Sequence, residues 1–247
     1  MEDKEKIIQN CRLLIKAFKS GEIGQTTMPE DSHPWFKDEE TKLVYFTLPM
    51  SLNYQRDSYS LWESCLKTFS DKQTRKVFDI NNSSNLSENE LRNLLTKYKI
   101  ALQPNKHINT WSKISKTIND NWGSISNLLE FVDYDFLKLK ETIQIKFKKG
   151  FPYLSGPKIF NYWSFILQKY GGIKLKNSEF IEIAPDTHIT KCSVILGVIN
   201  ENEKENLTKE KLSERWRAIL NGTEINPIDM HSPLWFWSKN DFKFQLR

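Results

Sequence analysis

Two stretches decide how this chain is read: Lys148–Gly172, KKGFPYLSGPKIFNYWSFILQKYGG, and Ile181–Ile199, IEIAPDTHITKCSVILGVI. In the first, Gly150-Phe151-Pro152 ends the helical pattern before it, because glycine and proline punctuate helices. Ser155-Gly156-Pro157 then opens a new helix. Serine or glycine suits the cap, and Pro157 suits the first helical position, where its missing N–H costs nothing. Ile159, Tyr162, Trp163, Ile166, Leu167 and Tyr170 recur at helical spacing on one face. Gly171-Gly172 stops the helix. Lys158 therefore falls in the first turn, just off the apolar stripe. A cation there opposes the positive end of the helix dipole, and partial burial among aromatic rings pushes the same way, toward the neutral amine. A neutral lysine amine can attack carbon and form a Schiff base. A solvated lysine that tolerates a poor site fits the same position.

In the second stretch, Pro185-Asp186-Thr187 reads as the start of a helix that carries Ile189, Cys192, Val194, Ile195 and Leu196 and breaks at Gly197. Asp186 suits the N-cap. It also suits the role of a carboxylate facing the lysine, and the residues alone leave both roles open.

The surrounding pattern is helical almost throughout. Residues 4–19 put Ile7, Ile8, Cys11, Leu14, Ile15 and Phe18 on one face. Residues 21–40 read as a polar loop, with His33-Pro34-Trp35-Phe36 as an aromatic plug. Leu43–Leu52 reads as a buried helix despite Pro49. Leu61, Trp62, Cys65, Leu66 and Phe69 mark the next helix, and residues 79–87 a loop of Asn and Ser. Ser87 and Glu90 form a capping box before Leu91, Leu94, Leu95 and Tyr98. Ile108, Trp111, Ile114 and Ile118 mark a helix capped near Asn109. Asn200–Glu203 reads as a linker, and only residues 180–184 suggest a strand. The expectation is an all-α fold of eight to ten helices.

The 247 residues suffice for one large domain or two lobes. Apolar residues make up only 38%, but aromatics reach 13%, and their large side chains can still build a core. A net charge of +5 mildly favours a polyanionic partner. Cys11, Cys65 and Cys192 form neither a disulfide framework nor a zinc pattern. No apolar run approaches a membrane span and no signal peptide is visible, so an intracellular protein is expected: cytoplasm or nucleoid, or the nucleus in a eukaryote.

Taken in order, four motifs resemble the helix-hairpin-helix (HhH-GPD) DNA glycosylase superfamily, most of all its archaeal 8-oxoguanine glycosylase branch. The hairpin is Leu154-Ser155-Gly156-Pro157-Lys158, with one glycine of the usual two. Pro185-Asp186-Thr187-His188-Ile189 matches the family's aspartate segment. Leu52-Asn53-Tyr54-Gln55-Arg56 to Leu61-Trp62-Glu63 resembles its early helix pair. Ile225-Asn226-Pro227 to Pro233-Leu234-Trp235 resembles its base-pocket segment. The resemblance spans roughly residues 43–240, with a longer Lys158–Asp186 spacing than in the endonuclease-III-like branch.

That resemblance implies a two-lobed helical fold with the site between the lobes. One lobe would be about 57–165, including the hairpin 148–160, and the other 1–56 with 166–247. Three separate cysteines exclude the iron–sulfur loop of some relatives. Lys158 would be the nucleophile and Asp186 the carboxylate that stabilises charge and relays protons. Trp62, Tyr162, His231 and Trp235 would line the base pocket, with Tyr162 replacing the family's phenylalanine. His231 stands where the archaeal branch has an acidic residue, so 8-oxoguanine would be read less stringently. Asn53, Gln55, Arg56, Lys148, Lys149, Ser155 and Gly156 would face duplex DNA carrying a damaged base. The implied protein is a monomer, needs no metal or organic cofactor, and couples base excision to β-elimination. Two rivals stay open: a helix-hairpin-helix DNA-binding protein without chemistry, and an N-glycosidase acting on a free nucleotide or nucleoside.

Overall fold

A computed structural model describes residues 2–246; all their regular secondary structure is helical, no strand forms among them, and an isolated bridge joins Asp135 to Lys176. Thirteen α-helices are present among the described residues. The first seven are α1 (Glu2–Ser20), α2 (Glu39–Thr47), α3 (Ser58–Ser70), α4 (Ile80–Asn85), α5 (Glu88–Thr96), α6 (Pro104–Asn121) and α7 (Ile125–Phe131). The rest are α8 (Phe136–Glu141), α9 (Pro157–Ile166), α10 (Thr187–Ile195), α11 (Glu201–Asn206), α12 (Lys209–Leu220) and α13 (His231–Lys239).

The count exceeds eight to ten, and two of the additional helices form in polar stretches. Residues 79–87, expected as a loop, contain α4, capped by Asp79. Its inward face is serine: Ser83 is fully buried, accepts from the Trp111 indole N–H at 2.9 Å and shares a hydrogen bond with Ser115 at 3.1 Å. Satisfied hydroxyls can be buried where apolar periodicity is missing. The expected linker at Asn200 is a capping box, with Asn200 and Glu203 closing on each other to start α11. The box at Ser87 and Glu90 forms as read. The cap near Asn109 does not, because Pro104 starts α6 earlier.

Pro49 splits the expected Leu43–Leu52 helix into α2 and a 3-10 turn, Pro49–Leu52. Residues 181–184 are irregular rather than a strand. Trp35 is 83% exposed, so the plug is made by its neighbour instead: Phe36 packs edge-on against Tyr45, Phe46 and Phe69.

The chain forms two compact units, one of Met28–Ser178 and one of Met1–Thr27 with Glu179–Arg247. These boundaries differ from the expected 57 and 165, and side-chain contacts explain the shift. Segments 28–56 and 166–178 belong with the hairpin, since Trp163 on α9 donates its indole N–H to Thr47 on α2 at 2.9 Å, and Phe46 stacks on Tyr170 at 5.5 Å. In the other unit, α1 packs on α13 through Phe18 and Phe236, stacked at 5.8 Å, and Trp216 on α12 donates to Ser193 on α10 at 2.9 Å. All three cysteines are free and buried. Among the described residues no helix is long and apolar enough to cross a membrane.

Candidate active site

The connection between α8 and α9 is made of short turns. After α8, a π turn (Thr142–Lys146) and a 3-10 turn (Lys148–Gly150) lead into residues 151–156, and α9 follows. Gln144 ties the arms together by donating to the Ser155 carbonyl at 3.0 Å. The left-handed position of the turn belongs to Tyr153, at φ +60°, rather than to a second glycine. Tyr153 is held there by a near-parallel stack on Tyr54, with ring centroids 4.1 Å apart and planes at 10°. Gly156 has an ordinary extended backbone, and its role is close approach: a Cβ would sit 3.1 Å from the Tyr153 carbonyl oxygen.

Gly156 is the N-cap of α9 and Pro157 its first residue, and no side chain caps the helix. A helix start without a side-chain cap is an arrangement that suits an anion. Ile159, Phe160, Trp163 and Ile166 are buried, whereas Lys158 and Tyr162 are half-buried. The latter two are one turn apart and share a face.

One residue not anticipated from the sequence joins this group. Glu30 is only 1% exposed, and its Oε1 accepts from the Trp62 indole N–H at 2.9 Å and the Tyr162 hydroxyl at 3.2 Å. Its Oε2 is buried and has no hydrogen-bond partner among the described residues. Loss of hydration pushes its pKa up to about 7; hydrogen bonds from its own backbone, Tyr162 and Trp62, and the more distant Lys169 charge, offset only part of that rise. The group is thus divided between acid and carboxylate near neutral pH. Trp62 is 1% exposed and packs on Tyr45 and Phe46. It orients Glu30 and does not offer an open ring face.

In the other unit, Asp186 has extended backbone angles and caps α10, accepting from the Ile189 N–H at 2.9 Å. The cap role, open in the sequence, is therefore occupied. Two residues on, His188 meets Trp235 edge-on at 5.4 Å and bonds Ser238 through Nδ1 at 3.0 Å. Burial lowers the His188 pKa. Trp235 is half-buried, and the Lys239 ammonium lies 4.8 Å from its ring centre. His231, 6% exposed, begins α13 one turn before Trp235. Asp229 is engaged in its own turn, accepting from the Asn226 N–H at 3.1 Å.

The residues expected to face DNA divide. Gln55 is exposed at φ +50°. Asn53 is half-buried and accepts from the Ser58 hydroxyl at 3.1 Å. Arg56 is turned inward: one Nη donates to the Ile100 carbonyl at 2.8 Å, its Nε is buried without a partner among the described residues, and burial lowers its pKa. It is a poor phosphate contact in this arrangement. Ser155 and Gly156 form the turn itself, while Lys148 and Lys149 are exposed beside α6 rather than at the tip.

Neither protein-family models nor curated proteins match the chain. Glu30 is the residue that sequence reasoning missed. It sits in a polar stretch with no periodicity, after Pro29, and nothing in the sequence distinguishes it from its exposed neighbour Asp31.

Proposed function

We propose that the protein is a DNA glycosylase with associated β-elimination activity, acting on an oxidised purine, with 8-oxoguanine the first substrate to test. The observation that carries this reading is the group on and around α9: an uncapped helix start, Lys158 in its first turn, and Tyr162 one turn on, bonded to a buried glutamate. A helix start with no side-chain cap suits a duplex phosphate. A half-buried tyrosine beside a carboxyl suits an extruded base, with a ring to stack on and a polar group for its edge. Glu30, buried behind Tyr162, fixes the direction of the Tyr162 hydroxyl.

The chemistry follows from a lysine nucleophile. The Lys158 amine forms a bond to the sugar C1′ while the C1′–N bond breaks, its electron pair leaving with the base, which takes up a proton. The C1′–O4′ bond then breaks, its electron pair going to O4′, which takes up a proton, and the nitrogen lone pair forms the iminium at C1′. Loss of a C2′ proton then expels the 3′ phosphate with its electron pair, and water releases the lysine. Asp186 is assigned the carboxylate that stabilises positive charge on the sugar. The cap on α10 gives one specific observation in favour of a rival, a phosphate grip without chemistry.

The deciding experiment is borohydride trapping on duplex DNA carrying 8-oxoguanine. A covalent protein–DNA adduct, formed by reduction of the imine, is expected. Duplex binding without adduct or free base would favour the rival.

A further inference from the structure

Below the hairpin, on the side of α6, lies an open concavity of about 520 Å³ lined by Thr117, Asn121, Ile145, Phe147, Lys148 and Lys149, with Lys146 and Gly150 completing it. Gly150 permits the close approach that shapes its floor, since a Cβ there would meet the Thr117 side chain at 2.6 Å. Two kinds of side chain meet at this surface. Lys148 and Lys149 are exposed and make no salt bridge among the described residues; Lys146 is held by Glu141 at 3.0 Å. Beside them, Ile145 is 72% exposed. Phe147 meets Trp122 edge-on at 4.9 Å, and Trp122 lies 6.0 Å from Phe131, which is 63% exposed.

We infer that this concavity and its aromatic rim bind a single strand of DNA. Uncompensated lysines attract phosphates, but phosphates alone give no use to an exposed phenylalanine and isoleucine. A duplex hides its base faces in the stack. An unpaired strand presents them, and rings and apolar side chains interleaved with cations are the surface that holds such a strand without reading its sequence. The rim runs Phe131, Trp122, Phe147, so bases can follow it while their phosphates follow Lys148 and Lys149. The inference rests on the nucleic-acid reading above and adds a second substrate form to it.

The test is fluorescence anisotropy of the full chain with a labelled oligothymidylate of about 12 nucleotides, in parallel with a lesion-bearing duplex. Phe131→Ser with Ile145→Ser changes only exposed positions, so folding should be kept, and circular dichroism checks it. The pair should weaken oligothymidylate binding about 5- to 20-fold and leave duplex binding within about 2-fold. Lys148→Gln with Lys149→Gln should flatten the single-strand log Kd against log salt slope by about 1.4. Inorganic tripolyphosphate should compete poorly at equal charge. Oligothymidylate affinity unchanged in the apolar pair, or competition by tripolyphosphate equal to that of the oligonucleotide, overturns the inference while duplex binding stands. Loss of binding to both DNAs by the wild type overturns the nucleic-acid reading itself.

Discussion

Helices α9 and α10 begin in opposite ways, and each start carries one of the two residues on which the proposed chemistry depends. The first, at Gly156-Pro157, has no side-chain cap and places a lysine where the helix dipole disfavours a cation. The second is closed by Asp186, whose carboxylate accepts a first-turn N–H, the stable and ordinary arrangement. A helix start without a side-chain cap leaves room for a ligand; a well-capped one does not. The difference makes Lys158 the more diagnostic residue, and it makes Asp186 the place where a purely structural role is hardest to separate from catalysis.

The largest effect is therefore expected at the open start. Lys158→Gln should abolish borohydride trapping and strand nicking, while duplex binding falls by no more than a few-fold, since one of several cations is neutralised. Trapping that persists would move the nucleophile elsewhere, with Lys169 or Lys191 next in line.

Glu30 sharpens the same side of the comparison through stability. Its folded pKa, about 7, lies above the ordinary glutamate value of 4.5. The unfolded chain therefore releases this proton at lower pH than the folded chain does. Its contribution to stability is fully present below about pH 4.5 and is lost as the pH rises through about 7, a change of about 3 kcal/mol by linkage. Glu30→Gln removes this term and keeps an acceptor for Trp62 and Tyr162. Denaturant melts at pH 5 and pH 8 should show the variant gaining about 2.5 kcal/mol relative to wild type across that interval. A constant difference between the two proteins would mean that Glu30 does not titrate as its burial demands.

Asp186 is the counterpart at the closed start. Asparagine also caps helices, so Asp186→Asn should melt within about 0.5 kcal/mol of wild type. Single-turnover excision should nevertheless slow about 100-fold, the scale of an electrostatic or acid–base loss. Full activity in a folded variant would leave Asp186 as a cap alone.

Most of the helical framework, and both of these helix starts, could be read from the chain. Pro157 at the first position, Gly171-Gly172 at the end and the Ser87/Glu90 box are local signals, and local signals survive into the fold. What escaped the reading depends on tertiary partners. The helix α4 buries serines whose hydroxyls are satisfied only once Trp111 and Ser115 arrive. Glu30 becomes exceptional only when Trp62, 32 residues later, and Tyr162, 132 residues later, close on it. Arg56 reads as an exposed cation until the Ile100 carbonyl draws it inward.

The smallest expected effect tests how the hairpin manages with one glycine. Tyr153 occupies the left-handed position at φ +60°, where an L residue costs about 1–2 kcal/mol, and its stack on Tyr54 returns about 0.5–1.5 kcal/mol. Tyr54 is itself anchored, donating its hydroxyl to Gln103 at 3.3 Å and meeting His107 edge-on at 5.7 Å. Removing the ring separates the two terms. Tyr153→Ala keeps the strain and loses the stack, so it should destabilise by about 1 kcal/mol. Tyr153→Gly loses the stack but relieves the strain, so it should lie close to wild type and about 1 kcal/mol above the alanine variant. Urea melts of the three proteins measure that ordering. If glycine and alanine were equally destabilising, the turn would not be strained and the stack alone would account for Tyr153; if both were neutral, neither term would operate, and the uncapped start of α9 would be held by Gln144 and the buried face of the helix.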